Sequence, residues 1–166
     1  MQASTRIPPE FESFWAAGER AGAALDRRRF LEAFAFGDSE ALATRLADLV
    51  LSGVKRATAS LVWTFEHEGK PPPAPGDLSI VATWAKEPLC IIETTAVAIV
   101  PFDEVPADFA RAEGEDDGTL ASWRSNHREF FARECARIGR MPSPHMPVLC
   151  ERFRVVFQPA AEPHAT

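Results

Sequence analysis

No run in this chain is apolar for the about 18 residues that a membrane-crossing helix needs, which excludes helical insertion. The N-terminus has neither a basic segment followed by an apolar one nor a small-residue cleavage site, so the cytoplasm is the expected location. Cysteine is scarce. Cys90, Cys135 and Cys150 are odd in number and widely, irregularly spaced, which argues against a disulfide framework or a zinc site. Two of them stand in apolar, strand-like runs and read as small buried residues in a reducing compartment. Internal repeats and low-complexity tracts are missing. Positive charge is in deficit, with 18 Lys and Arg against 24 Asp and Glu and a net charge of -6. That balance excludes an extended basic surface for duplex DNA, so any RNA contact must be local. What remains is 166 residues, 46% hydrophobic, enough to bury one core and too few to expect two domains.

The hydrophobic pattern divides the chain into short elements. Residues 8–29 read as a helix interrupted by Gly18 and Gly22, and the basic run Arg27-Arg28-Arg29 as the outer face of a short helix. Residues 38–51 repeat apolar positions at Leu42, Leu46, Leu49 and Val50, with Asp38 as N-cap and Gly53 as stop. Leu61, Trp63 and Phe65 alternate, predicting a strand over 58–66. Four prolines in 70–76 make a loop, and strands follow at 77–84 and 89–100. Between 119 and 137 the spacing is helical again, capped by Thr119 and ended by Gly139. A proline-rich loop at 141–147 leads to a final strand at 148–157, and 158–166 is a frayed tail. Helices around several short strands give the α+β class.

The most informative stretch is Gly53-Val54-Lys55-Arg56-Ala57-Thr58-Ala59-Ser60, which follows a helix stop and sets an amine and a hydroxyl three residues apart on one turn. Such a pair can share a small ligand, lysine as charge or proton acceptor and threonine as donor or nucleophile. By itself this spacing is in most chains a surface lysine beside a strand threonine.

This glycine, lysine and threonine order resembles the signature of the ASCH domain family, whose fold is a PUA-like β-barrel flanked by helices. Further blocks are similar to the family in the same order: Pro75-Gly76-Asp77 into a strand, Cys90 to Val97 as the next strand, and Phe102-Asp103-Glu104-Val105 as a link. Phe109 to Glu115 resembles its acidic segment before the second helix, and Glu151 to Phe157 its closing strand. The resemblance implies an N-terminal helical extension at 1–29, the ASCH domain at 30–157 and a flexible tail at 158–166. It also implies a ligand: RNA, a nucleotide or a modified nucleoside.

In family members that hydrolyse the acetamide of a modified cytidine, the matching catalytic residues are Lys55, Thr58 and Glu115, with Glu113 two positions away. There Thr58 would attack the acyl carbon, a Lys55 of lowered pKa would take its proton, and Glu115 would relay a proton. Those short enzymes carry an arginine two residues past the threonine, where this chain has Ser60; its basic neighbour is Arg56. In length the chain looks like the bacterial long-form ASCH proteins, for some of which metal-dependent ribonuclease activity is described. In that form a serine is expected where this chain has Ala132. A ribonuclease would bind phosphate with Lys55 and Arg56, donate from Thr58 and Ser60, and hold Mg or Mn through Glu115 with Asp116 or Asp117. The third alternative is an RNA-binding or regulatory module that catalyses nothing.

Two readings stand for the segment after the motif. Residues 113–117 are either a functional carboxylate pair or an acidic turn at a helix N-terminus. Trp123, Arg124 and His127, with Trp123 and His127 sharing a helix face, either stack and contact unpaired bases or are core and edge-of-core residues. Trp63 and Trp84 fit core packing by their strand period, and His67, His145 and His164 fit solvated positions. The expected substrate-binding set is Gly53, Arg56, Ser60, Glu113, Trp123, Arg124 and His127, in one cleft with the catalytic residues.

Overall fold

The structure, a computed structural model, describes residues 6–160. His164, most of the expected tail and the first five residues of the expected extension lie outside them.

Pro8 and Pro9 fix the backbone for a 3-10 turn that runs into α1 (Glu12–Arg20). Gly22, at φ +85°, lies just past its end, so the helix expected over 8–29 stops nine residues early. Arg27–Arg29 is a 3-10 turn instead of a helix face, capped by Asp26, which accepts from the Arg28 N–H at 2.9 Å. Arg27 pairs with Glu12 and Glu19, and the chain then enters strand β1 (Phe30–Phe34).

At the start of helix α2 (Glu40–Leu51) the Ser39 Oγ accepts from the Leu42 N–H at 3.2 Å. After it come β2 (Ala57–Leu61) and α3 (Val62–Glu68). The strand expected over 58–66 therefore ends halfway. Leu61 and Phe65 are spaced by four as well as lying on an alternating run, so this short window carries both periods. Strands β3 (Leu78–Ala82) and β4 (Pro88–Pro101) follow, joined by a turn in which Trp84 is 48% exposed and not core.

The link and acidic segment at 102–115 contain an unforeseen helix, α4 (Ala107–Glu113), closed by Gly114 in the left-handed region. The long helix α5 (Leu120–Ile138) is capped as its sequence predicts: Thr119 Oγ1 accepts from the Ser122 N–H at 3.2 Å, and Gly139 sits at φ +74°. Strand β5 (Pro147–Phe157) ends the ordered elements.

The strands form one mixed sheet in the order β1-β3-β4-β5-β2. β1 runs parallel to β3, while β3 with β4 and β2 with β5 are antiparallel. The class is α+β, but the sheet is not closed: β1 and β2 are its two edges, so the barrel expectation is met by an open sheet.

The chain divides into two compact units. Among the described residues, one comprises 6–51, 76–93 and 154–160, with Phe11, Trp15, Phe30, Leu78 and Ile80 in its core. Trp15 is fully buried and meets the Phe30 ring edge to face, and burial of a side chain such as Phe30 is worth about 2 kcal/mol. The other comprises 52–75 and 94–153, built around Leu61, Phe102, Phe109, Trp123 and Phe131. Cys90, Cys135 and Cys150 are free and buried, burial pushing the Cys90 and Cys150 thiols up to about 12. Residues 53–60 and 113–127 all belong to the second unit.

Candidate acid–base site

Two distant backbone segments of the second unit are pinned together before any side chain meets. The Arg56 N–H donates to the Ala112 carbonyl of α4 at 2.8 Å, and the Arg56 carbonyl accepts from Phe153 of β5 at 3.1 Å. Gly114 lies so close to the same loop that a Cβ on it would stand 2.5 Å from the Val54 carbonyl oxygen. Lys55 is thereby directed at the end of α4.

Its Nζ donates to the Ala57 carbonyl at 2.8 Å, Glu113 Oε2 at 2.9 Å and Glu115 Oε1 at 3.2 Å. Lys55 and Glu113 are each 1% exposed and the Glu115 side chain 17%, so Glu115 is the outermost of the three. The other Glu113 oxygen accepts from Trp123 Nε1 at 3.0 Å. His127 Nε2 lies 3.3 Å from that same oxygen and 3.6 Å from Glu115 Oε2. The His127 ring stacks on Trp123 at 4.2 Å, and its Nδ1 lies 2.9 Å from the Trp123 carbonyl. A carbonyl only accepts, so Nδ1 carries a proton and Nε2 is the nitrogen turned toward the carboxylates.

The charges adjust to this crowding. Burial alone would lower the Lys55 ammonium, but Glu113 and Glu115 together outweigh it and hold Lys55 above its ordinary value. Burial would raise Glu113, yet the charges of Lys55 and His127 keep it well below the carboxylate range. Glu115 moves up, from burial first and then from the negative charge of Glu113, against the pull of Lys55. His127 also moves up: its hydrogen bond and charge interaction with Glu113, and the charge of Glu115, overcome desolvation.

A buried ion pair, a carboxyl group of raised pKa and an oriented imidazole thus share one centre. Residues 32–157 match the ASCH domain family. The chain belongs to that family. An ASCH domain from Lactobacillus crispatus JV V101 superimposes with a TM-score of 0.81 at 34% identity, covering 93% of this chain and 99% of that one. A protein from Enterococcus faecalis V583 does so at 0.77 and 34% identity, covering 87% of this chain and 86% of its own. The hypothetical protein PH0355, at 13% identity and a TM-score of 0.50, covers 76% of this chain and 99% of its own and shares the fold alone. No match was found among curated protein sequences.

Within this ASCH chain the expected site residues separate. Lys55, Glu113, Glu115, Trp123 and His127 are brought together. Lys55 is held as an ammonium, which corrects its expected role as a base of lowered pKa. Trp123 is 4% exposed and stacked between Phe102 and His127, leaving no ring face for a base. Thr58 belongs to none of these hydrogen bonds. On β2 it pairs with Glu151, and strand alternation turns Thr58 and Ser60 away from the face on which Ala57 and Leu61 join the core. Gly53 and Arg56 are exposed, and half-buried Arg124 donates to the Asp103 carbonyl at 2.9 Å. The missed feature is His127 as an ionic partner: its spacing from Trp123 marks a helix face but not the Glu113 and Glu115 opposite it.

The divalent metal implied by the ribonuclease resemblance does not fit these residues. Asp116 accepts from Ser122 Oγ at 2.6 Å and Asp117 from the Thr119 N–H and hydroxyl, so each is tied into the turn through one oxygen and neither joins the cluster of Glu113, Glu115 and His127. Glu113, Glu115 and His127 do offer three ligand atoms within 4.8 Å of one another. The Lys55 ammonium, however, already bridges the two carboxylates, and one of the three donors is a nitrogen, whereas Mg and Mn favour an oxygen cage.

Proposed function

We propose that this ASCH chain binds RNA or a modified nucleoside beside the Lys55, Glu113, Glu115 and His127 centre and hydrolyses an acyl or amide group on the base. The observation that carries this reading is that a single, partly exposed carboxyl group of raised pKa, Glu115, stands at the outer edge of a buried ion pair. Amide hydrolysis needs one proton shuttle. Glu115 takes a proton as water attacks the acyl carbon, then delivers it to the nitrogen as the C–N bond breaks. Strand cleavage through a 2′-hydroxyl needs a base and an acid on opposite sides of the phosphate. Glu115 Oε2 and His127 Nε2, 3.6 Å apart, are one station instead of two. Lys55 supplies fixed positive charge, and water takes the nucleophilic part first assigned to Thr58. The nucleoside class rests on family membership, and the exposed Arg56 offers a phosphate contact.

The test is turnover of an N4-acylated cytidine, with binding of single-stranded RNA measured alongside. Glu115→Gln is expected to lower kcat on the order of a hundredfold or more with KM changed only a few-fold. Thr58→Ala is expected to retain activity; its loss would return the nucleophilic role to Thr58. Binding without turnover by the wild type would make the protein a binding module, and wild-type turnover undiminished in Glu115→Gln would remove Glu115 from the chemistry.

A further inference from the structure

We propose that His127 is a positioning residue that, protonated at Nε2, holds Glu115 ionised and oriented for the proton it takes from water, making the acid–base centre a two-residue unit. This rests on the reading of Glu115 as the proton shuttle.

The geometry leaves little freedom to the imidazole. Nδ1–H is tied to the Trp123 carbonyl one turn back on α5, and the ring is held against the Trp123 indole at an interplanar angle of 15°. Phe131, on the next turn, meets it edge to face. Nε2 has no choice of neighbour: it faces Glu113 Oε1 and Glu115 Oε2. Were Nε2 a bare lone pair, it would confront carboxylate oxygens in a site 7% exposed, an arrangement of like partial charges without a donor. A proton between them removes that repulsion.

Two of those oxygens differ in availability. Glu113 Oε1 already accepts from Trp123 Nε1, and the Glu113 carboxylate is held ionised by Lys55. Glu115 is the softer acceptor, and a small torsion of its side chain closes the 3.6 Å gap. Through the reaction the Nε2–H bond stays intact: Glu115 gains an O–H bond from the attacking water and loses it to the leaving nitrogen while the His127 imidazolium remains beside it. Among the described residues, the charged groups facing this unit are Lys55 from the turn before β2, Glu113 from α4 and Glu115 from the turn before α5. Cys150 on β5 feels the Glu113 charge but stays a neutral thiol, pushed up to about 12 chiefly by burial. Because the two sites interact, their protons leave in steps that belong to the pair.

The experiment is an NMR pH titration of 15N-histidine-labelled protein, with His127→Gln used to assign the signal. His127 is expected to keep its Nδ1 proton throughout and to titrate above the ordinary 6.5, moving down in Glu115→Gln. Titration at or below the ordinary value, or a signal indifferent to Glu115→Gln, overturns the proposal whatever the activity. Where acyl-nucleoside turnover is present, His127→Phe, which keeps an aromatic ring over Trp123 but carries no proton, is expected to lose on the order of tenfold or more in kcat with KM nearly unchanged. The pH limb of kcat/KM should shift with it. Full activity and an unshifted profile in His127→Phe would also overturn it, whereas full activity in Glu115→Gln sinks only the underlying reading.

Discussion

Lys55 Nζ and Glu113 Oε2 stand 2.9 Å apart with each side chain 1% exposed, a completely desolvated ion pair joining a turn to the end of a helix 58 residues away. Neither charge has water to fall back on. Removing one partner therefore costs more than the pair contributes over an apolar substitute, about 3–5 kcal/mol. Lys55→Met is expected to show that loss in urea unfolding, and the double variant with Glu113→Gln to recover part of it. Additive losses would mean that the two groups are not coupled.

Half of this site is visible in the sequence. Lys55 stands in a recognisable motif, and the Thr119 cap and Gly139 stop bound α5 because capping chemistry is local. The choice between Glu113 and Glu115 is not local. It depends on α4 existing at all, and on the Val54 and Arg56 backbone meeting residues 112–114. Trp123 and His127 share a helix face under either reading of their role, and only packing against Phe102 and Glu113 makes one of them core and the other an ionic partner. The Leu61 and Phe65 spacing fits strand and helix alike, which is why β2 appears twice its length from sequence.

Stability should depend on pH with opposite signs at the two glutamates. Glu113 titrates below its ordinary 4.5 when folded, so its contribution is complete above that value and is lost as pH falls. Glu115 titrates above 4.5, so its contribution is present below that value and is lost as pH rises. As pH falls from about 7 to about 3, Glu115 and His127, whose ordinary value of 6.5 is also raised, add stability first, and the Glu113 loss sets in only below 4.5; Glu113→Gln should flatten that loss and Glu115→Gln remove part of the earlier gain. Lys55, raised above 10.5, adds stability that is complete below that value and is lost only as pH climbs through its folded value. Urea midpoints across that acid range check the two glutamates and a series continued above 10.5 checks Lys55, and parallel curves for the two Gln variants would contradict the assignment.

Gly114 and Gly53 offer a matched comparison. Both have positive φ, +65° and +81°, but an added Cβ at Gly53 meets nothing within 4 Å, while at Gly114 it strikes the Val54 carbonyl oxygen. Gly53→Ala should cost on the order of 1 kcal/mol, from backbone strain alone. Gly114→Ala must in addition push α4 from the Val54 loop, and is expected to cost clearly more and to weaken any activity that needs Glu115 beside Lys55. Equal melting temperatures for the two variants would show that the approach at Gly114 is not tight.

A metal-dependent mechanism makes a different prediction from the one drawn from this site. With Lys55 bridging Glu113 and Glu115, Mg or Mn at millimolar concentration should leave the melting temperature unchanged, whereas saturation at a hundredfold above Kd would add about 2.7 kcal/mol. Chelator should likewise leave acyl-nucleoside turnover intact. A metal-induced rise in melting temperature that disappears in Glu115→Gln would place an ion in the centre and reverse this conclusion.

RNA binding, if it uses this face, must be led by Arg56 and not by Lys55. Counterions are released only by cations that reach phosphates, and Lys55 is buried against two carboxylates while Arg56 is exposed on the same turn. Affinity for single-stranded RNA should fall with salt on a shallow slope of two or three contacts, each adding roughly -0.7. Arg56→Ala is expected to remove about one contact. Arg28→Ala should change nothing, because the Arg28 guanidinium is already paired with Asp26 at 2.9 Å. Filter binding over a salt series separates these outcomes. A slope unaltered in Arg56→Ala would move the RNA contact away from the Gly53 turn, and undetectable binding at low salt would leave the small modified nucleoside as the ligand.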